Sequence, residues 1–138
     1  MTQTFIHREL LTDGRRSELP AKLFGAAAFP FKVEPAIFDM TGRLVAAYEG
    51  GYWDMHQLSN DGFYMSPASE TTYTVSSMNG YTGVMSADAL GLTACLFAYS
   101  HLSFGGDALA EVCANQYHLL RDFAMVHAEA GAILAAID

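Results

Sequence analysis

Basic residues, cysteines and long apolar runs are all scarce in this sequence of 138 residues, and each scarcity removes a class of function. Seven Lys and Arg stand against fifteen Asp and Glu, for a net charge of -8. Six of the seven (Arg8, Arg15, Arg16, Lys22, Lys32 and Arg43) fall in the first 43 positions, which leaves Arg121 alone among ten acids. Affinity for a phosphate backbone comes from clustered cations, and the Arg15-Arg16 pair is too small a patch to supply it, so direct nucleic-acid binding is not expected. The two cysteines, Cys95 and Cys113, have no CxxC or Cys/His spacing around them and read as reduced, packed thiols. The longest apolar stretch, Ala89 to Tyr99, is interrupted by Thr93 and falls short of the roughly 17–25 residues that a bilayer span needs, so no membrane segment is expected. The N-terminal MTQTFIHREL shows no basic stretch followed by an apolar run, which argues against a secretory signal and for a cytoplasmic location.

Catalytic and ligand motifs are missing as well. The five histidines, His7, His56, His101, His118 and His127, are scattered without HExxH or cysteine pairing, so no metal site is expected. GxSxG, GxGxxG and phosphate-loop patterns are absent, and the glycines fall at turns and helix ends. Neither a cofactor nor a small-molecule ligand is expected. The nearest approach to acid-base chemistry is Asp54 with His56 on one strand face, and no nucleophile or oxyanion hole accompanies them. Binding, rather than catalysis, is the expected mode of action, with a small hydrolase built on Asp54 and His56 as the enzymatic alternative.

What the chain does have is apolar material, 51% of its residues, enough for one core. A domain of this length buries roughly 68–70% of its unfolded surface and needs no disulfide or metal to stay folded. Residues 1–16 show no sustained period and read as a short edge element or a mobile arm, leaving 17–138 as a single domain. Ser17 is a plausible N-cap for a first helix with Pro20 in its first turn, ending before Pro30. Ile37, Phe38, Thr41, Leu44, Val45 and Tyr48 predict a second helix from about Pro35 to the Gly50-Gly51 stop. Then the texture changes to aromatic and β-branched segments, YWDMHQL, FYMS, TTYTVSS and MNGYTG, the strands of a meander. Asn60-Asp61-Gly62 tolerates positive φ and predicts a hairpin between the first two. Pairing Leu58 with Phe63 puts Tyr52, Asp54, His56, Leu58, Phe63 and Met65 on one face and Trp53, Met55, Gln57 and Tyr64 on the other, a sheet at least partly covered on both sides. Ser86 caps a third helix that is apolar nearly all round, with Asp88 in its first turn, and Asp107 caps a fourth. Ala132 to Asp138 forms a last apolar turn. The expected class is α+β: a small antiparallel sheet of three to four strands packed with four to five helices.

Two features ask for more than stability. The run GGYWDMHQLSNDGFYMSP gathers Tyr52, Trp53, Phe63 and Tyr64 around a polar turn, a composition found at protein interfaces as well as in cores. Asp138 stands at a predicted helix C-terminus, where the dipole disfavours an acid. Tyr52, Trp53, Asp54, His56, Asn60, Asp61, Tyr64 and Asp138 are therefore the candidate interaction residues.

LPAKLFG at 19–25, GGYWDMHQLSNDGFYMSP at 50–67, MNGYTGVMSADALGL at 78–92 and AILAAID at 132–138 together resemble the plasmid- and phage-borne antirestriction proteins of the KlcA/ArdB type. The resemblance runs from about residue 15 onward; it departs at Asp61, where the family usually has glycine, and in a short polar connection around Ser69 to Thr72. It implies an α+β fold and protection of incoming mobile DNA from host type I restriction enzymes without a reaction of the protein's own. The partner expected on this basis is a protein component of the restriction pathway or a host factor, met through the aromatic hairpin and the acidic C-terminal half. DNA mimicry is the alternative, although ten acids over residues 44–138 are sparse beside duplex DNA, which carries about one charge per 1.7 Å.

Overall fold

The computed structural model describes residues 5–138, and Met1–Thr4 lie outside the described residues. In chain order the elements are β1 (Arg8–Leu10), α1 (Asp13–Phe24), a π-helical turn (Phe29–Val33) running into α2 (Glu34–Leu44), β2 (Trp53–Leu58), β3 (Phe63–Pro67), β4 (Thr72–Ser76), β5 (Thr82–Ser86), α3 (Ala87–Leu102), α4 (Ala108–Met125) and α5 (Ala130–Ile137). The class is α+β. Its strands divide between a three-stranded antiparallel sheet, β1-β2-β3, and a separate hairpin, β4-β5. Of the N-terminal segment, residues 8–10 form the edge strand on β2, and 1–4 are outside the described residues.

Both early helices depart from their expected positions. Helix α1 begins four residues before Ser17, with Thr12 extended at the N-cap and Asp13 in the turn where the helix dipole favours an acid. Pro20 consequently sits inside the helix rather than in its first turn, and it is buried there. The second helical segment starts at Phe29, not Pro35, and ends at Leu44, where Val45 turns extended, rather than at Gly50. Pro35 has no N–H to donate and its ring crowds the preceding turn. The backbone answers with one widened turn, in which the Glu34 N–H reaches the Phe29 carbonyl five residues back.

The β2–β3 register differs from the expected one by a single residue. Gln57, not Leu58, stands opposite Phe63. A one-residue slip exchanges the faces of one strand relative to the other, so Trp53, Met55, Gln57, Phe63 and Met65 share one face and Asp54, His56, Leu58, Tyr64 and Ser66 the other. The turn explains the slip. Leu58 closes a three-residue loop by donating to the Gly62 carbonyl (2.7 Å) while Asp61, at φ 73°, takes the left-handed position. The β4–β5 loop repeats this design: Ser77 donates to the Tyr81 carbonyl (2.9 Å), and Gly80, at φ 93°, is the left-handed residue. In each loop the central asparagine carbonyl accepts a backbone N–H two residues on, from Gly62 to Asn60 and from Tyr81 to Asn79. The same asparagines then fasten the loop tips to helices, Asn60 to the Leu119 carbonyl of α4 (2.9 Å) and Asn79 to the Ala135 carbonyl of α5 (3.1 Å).

Packing follows from the two faces. Phe24 and Phe29 meet Phe63 at 5.9 and 5.8 Å, and Phe38 meets Trp53 at 5.3 Å, so α1, the widened turn and α2 cover the first face. Phe123 of α4 reaches Tyr64 on the second at 5.9 Å. Helix α3, capped by Ser86 as expected, is buried nearly all round. It lies along the outer edge of β3, where a Cβ on Gly91 would stand 2.4 Å from both the Met65 carbonyl oxygen and the Ser66 Cβ. At this range side chains satisfy the strand's outward backbone groups. The Tyr99 hydroxyl donates to the Phe63 carbonyl (2.6 Å), Cys95 Sγ to that of Met65 (3.6 Å), and Gln116 of α4 accepts the Phe63 N–H (2.8 Å).

In urea denaturation, Gly91→Ala is expected to lose about 2–3 kcal/mol, since the methyl has backbone on the far side and nothing flexible to displace. Asn79→Ala should lose about 1 kcal/mol by leaving the last-turn Ala135 carbonyl without its donor, and Asn60→Ala a similar amount by leaving the Gly62 N–H unpaired and freeing the loop tip from α4. Asp61→Gly should gain about 0.5–1 kcal/mol, because glycine carries no Cβ penalty at positive φ.

Candidate functional site

The N-terminus of α3 is the meeting point of segments far apart in sequence. Asp88, in its first turn, has its Oδ1 paired with the Arg8 guanidinium from β1 and accepts the Tyr64 hydroxyl from β3 on the same oxygen (2.7 Å). His127, between α4 and α5, places Nε2 2.7 Å from Oδ2. Arg8 also donates to the Tyr64 hydroxyl at 2.9 Å. Because Nδ1 of His127 accepts the Glu129 N–H (2.9 Å), its hydrogen sits on Nε2 and points at the carboxylate. The Glu129 carboxylate in turn accepts the N–H of Ser86 (2.9 Å) and its hydroxyl, and Ser86 Oγ accepts the Ala89 N–H at 3.1 Å as the helix cap. The circuit joins β1, β3, β5, α3 and the α4–α5 connection.

Beside it opens a cleft of about 690 Å³, lined by Arg8, Asp88 and His127 together with Phe5, Phe123 and Val126. Burial on its own would raise the Asp88 carboxyl, but the His127 and Tyr64 hydrogen bonds and the Arg8 charge outweigh it and hold the group below its usual range. Burial, reinforced by the neighbouring Asp88 charge, drives the Tyr64 phenol well above its ordinary value. Burial also pushes the thiols of Cys95 and Cys113 up to about 12 and about 11, which keeps both unreactive. With three donors on Asp88, the cluster acts as a fastener between β1, β3, α3 and the α4–α5 connection. Among the described residues no group of three or more His, Cys, Asp or Glu is arranged to hold a metal ion, and no helix is long and apolar enough to cross a membrane.

The candidate interaction residues do not form one surface. Trp53 is 4% exposed, donating from Nε1 to the Tyr48 hydroxyl at 2.6 Å, and Tyr64 is fully buried. His56 is buried and stacked on Tyr64 at 4.7 Å, with Nε2 3.3 Å from Ser66 Oγ and with Nδ1 unpartnered among the described residues. Asp54 is half-buried on the same sheet face, with no hydrogen bond to His56. Asn60 is half-buried at the loop tip, and Asp61 is exposed. Tyr52 is exposed beneath the Arg16 guanidinium, 4.7 Å from its ring centre. Asp138 is exposed and faces Arg121 at 3.6 Å, a partner that answers the unfavourable helix dipole. Trp53, Phe63 and Tyr64 are thus spent on the core and His56 is buried beside them, a correction to the expected surface at those positions, while Tyr52 and Asp61 stay exposed. Sequence reading found Ser86 and Asp88 only as a cap and a dipole partner. Arg8, His127 and Glu129 carry no local signal, because what unites them is tertiary.

A family model described as antirestriction protein matches residues 46–138. Among curated proteins, an antirestriction protein KlcA of Escherichia coli is 45% identical over 108 residues, 76% of this chain and 74% of its own length. A second KlcA of Escherichia coli is 36% identical over 132 residues, 94% of this chain and 92% of its own. A solved structure with TM-score 0.90 and 33% identity covers 100% of this chain and 99% of that one; it comes from work reporting that the KlcA and ArdB proteins show a novel fold and antirestriction activity against type I DNA restriction systems in vivo but not in vitro.

Stability is expected to fall in two stages on acidification. Burial, with the Arg8 charge added, lowers the His56 value, so the unfolded chain binds a proton first and stability is lost as pH drops from 6.5 toward the folded value. The contribution of Asp88 is intact above its unfolded value of 3.8 and is lost as pH falls through its lower folded one. Melting temperatures between pH 3 and 8 check this: His56→Gln removes the upper stage, while Asp88→Asn removes the lower one and loses about 1.5–3 kcal/mol at neutral pH.

Proposed function

We propose, from the premise that this chain belongs to the antirestriction protein family, that it protects mobile DNA from type I restriction by binding a protein of the restriction pathway, or a host factor on which that pathway depends. It does so in the cytoplasm, without carrying out a reaction of its own. The observation that carries this reading is the likeness, along essentially the whole chain, to a structure whose proteins act on type I systems in vivo but not in vitro. A protein that occupied the enzyme's DNA channel would inhibit the purified enzyme as readily as it protects a cell.

The placement of the acids supports the same choice. Asp39 pairs with Arg43, Asp107 caps α4, Glu129 holds Ser86, Asp138 faces Arg121, and Asp88 is locked in its cluster. Carboxylates committed to internal partners make a broken row, whereas duplex DNA offers about one charge per 1.7 Å. The Asp54 and His56 pair gives little support to a hydrolase, since the imidazole is buried against Tyr64 and Ser66.

Expression of the chain should raise the plating efficiency of unmodified phage on a host with a type I system and change nothing on a host without one. Cleavage by the purified restriction enzyme should be unaffected by added protein. Salt-sensitive inhibition in that second assay would replace the present reading with DNA mimicry. Asp54→Asn should protect as well as the wild type.

A further inference from the structure

The strand edges of this fold are treated unequally. The outer edge of β3 is met by Tyr99, Cys95 and Gln116, and β1 is only three residues long and carries the charges of Arg8 and Glu9. Short, charged or covered edges are how native sheets avoid pairing with other chains. Strand β4 has none of these protections. It is five residues long, TYTVS, without charge or proline. The Ser77–Tyr81 bond sets the alternation of the ladder, so that Tyr73 and Val75 bond across to β5 while Thr72, Thr74 and Ser76 turn their N–H and C=O groups outward. No described residue takes up those outward groups.

This edge opens into a groove of about 600 Å³, whose far wall is the end of α2 at Leu44 and the irregular segment 45–50 that follows it. The wall runs antiparallel to β4: Arg43 lies by Ser76 at one end, and Tyr48 meets Tyr73 at 6.1 Å toward the other, with Glu49 beyond. The lining between the two charges is apolar and aromatic, from Leu44, Val45, Tyr48 and Tyr73.

We propose that this groove binds an extended segment of a protein partner, which adds to β4 as a third strand. The inference rests on the antirestriction reading and names the surface through which it operates. Five residues of strand span about 17 Å and gain affinity from backbone hydrogen bonds, while alternate side chains supply specificity. The charges at the two ends call for a segment with an acidic residue beside Arg43 and a basic one beside Glu49. The bond between Arg43 and Asp39 is no obstacle, since both side chains are about 60% exposed and such pairs are weak. A second copy is a poor occupant: its own β4, TYTVS, carries no acid to set beside Arg43 and no base to set beside Glu49.

The test uses phage plating on a host with a type I system. Thr74→Pro removes an outward N–H and leaves the β4–β5 ladder bonds in place, and Val84→Pro, at the residue opposite, does the same to the other edge. With melting temperatures close to wild type, Thr74→Pro should lose at least about tenfold in protection, and Val84→Pro and Thr74→Ala should retain it. If Thr74→Pro fails to melt cooperatively, the Thr72→Lys/Thr74→Lys double variant decides, as exposed edge lysines leave the fold intact and block strand addition. Folded edge variants that protect like the wild type overturn the groove proposal alone. Loss of protection through Val84→Pro instead, or self-association that Thr74→Pro abolishes, also overturns it. A wild-type chain that gives no protection on the restricting host defeats the functional reading before the groove is reached.

Discussion

The closeness of α3 to β3 governs the rest of the molecule. Gly91 lets the helix approach until a methyl group would collide with the Met65 carbonyl, and at that distance Tyr99 and Cys95 can bond to the strand's outer edge. A helix placed on an edge, rather than on a face, leaves both faces of the β1-β2-β3 sheet to other elements. Helices α1 and α2 take one and α4 takes the other, which is why β3 is buried at every residue. The same placement brings the first turn of α3 beside Arg8, Tyr64 and His127, so the polar junction follows from the apolar contact.

The junction adds direction to that packing. Asp88, Tyr64, Arg8 and His127 are directional groups in a partly buried setting, where an unmet donor or acceptor is expensive. Apolar packing tolerates small displacements of the α4–α5 connection, but a carboxylate shared among three donors does not. Fold and cleft are therefore coupled, since Arg8, Asp88 and His127, which help hold β1, β3 and α3 together, also line the 690 Å³ opening.

Local chemistry was legible in the sequence, and distant chemistry was not. Ser86 and Asp107 announce their helices because a cap needs only a side-chain oxygen and the next few N–H groups. The α+β class, the buried character of α3 and the hairpin at Asn60-Asp61-Gly62 were equally readable. The register was missed because a three-residue loop and a four-residue one share turn composition, and one residue reverses a face. Pro20 misled because its preference for a first turn is a bias that packing overrode, and Pro35 because a widened turn carries it inside a continuing helix. Tyr52, Trp53 and Tyr64 were grouped by sequence proximity, yet alternation and burial separated them. Arg8 and Asp88 are eighty residues apart, and no spacing rule reaches that far.

The twin hairpin loops differ in how they withstand ageing. Each holds its sheet to a helix through one asparagine side-chain amide, but Asn79 is followed by Gly80 and Asn60 by Asp61. A small successor exposes an asparagine to attack by the next backbone nitrogen, which expels ammonia to give a cyclic imide that water then opens to a carboxylate. An acid at position 79 has no hydrogen for the Ala135 carbonyl and meets it with like charge. Slow chemical wear would thus loosen the β4–β5 hairpin from α5 while the β2–β3 hairpin stays tethered to α4.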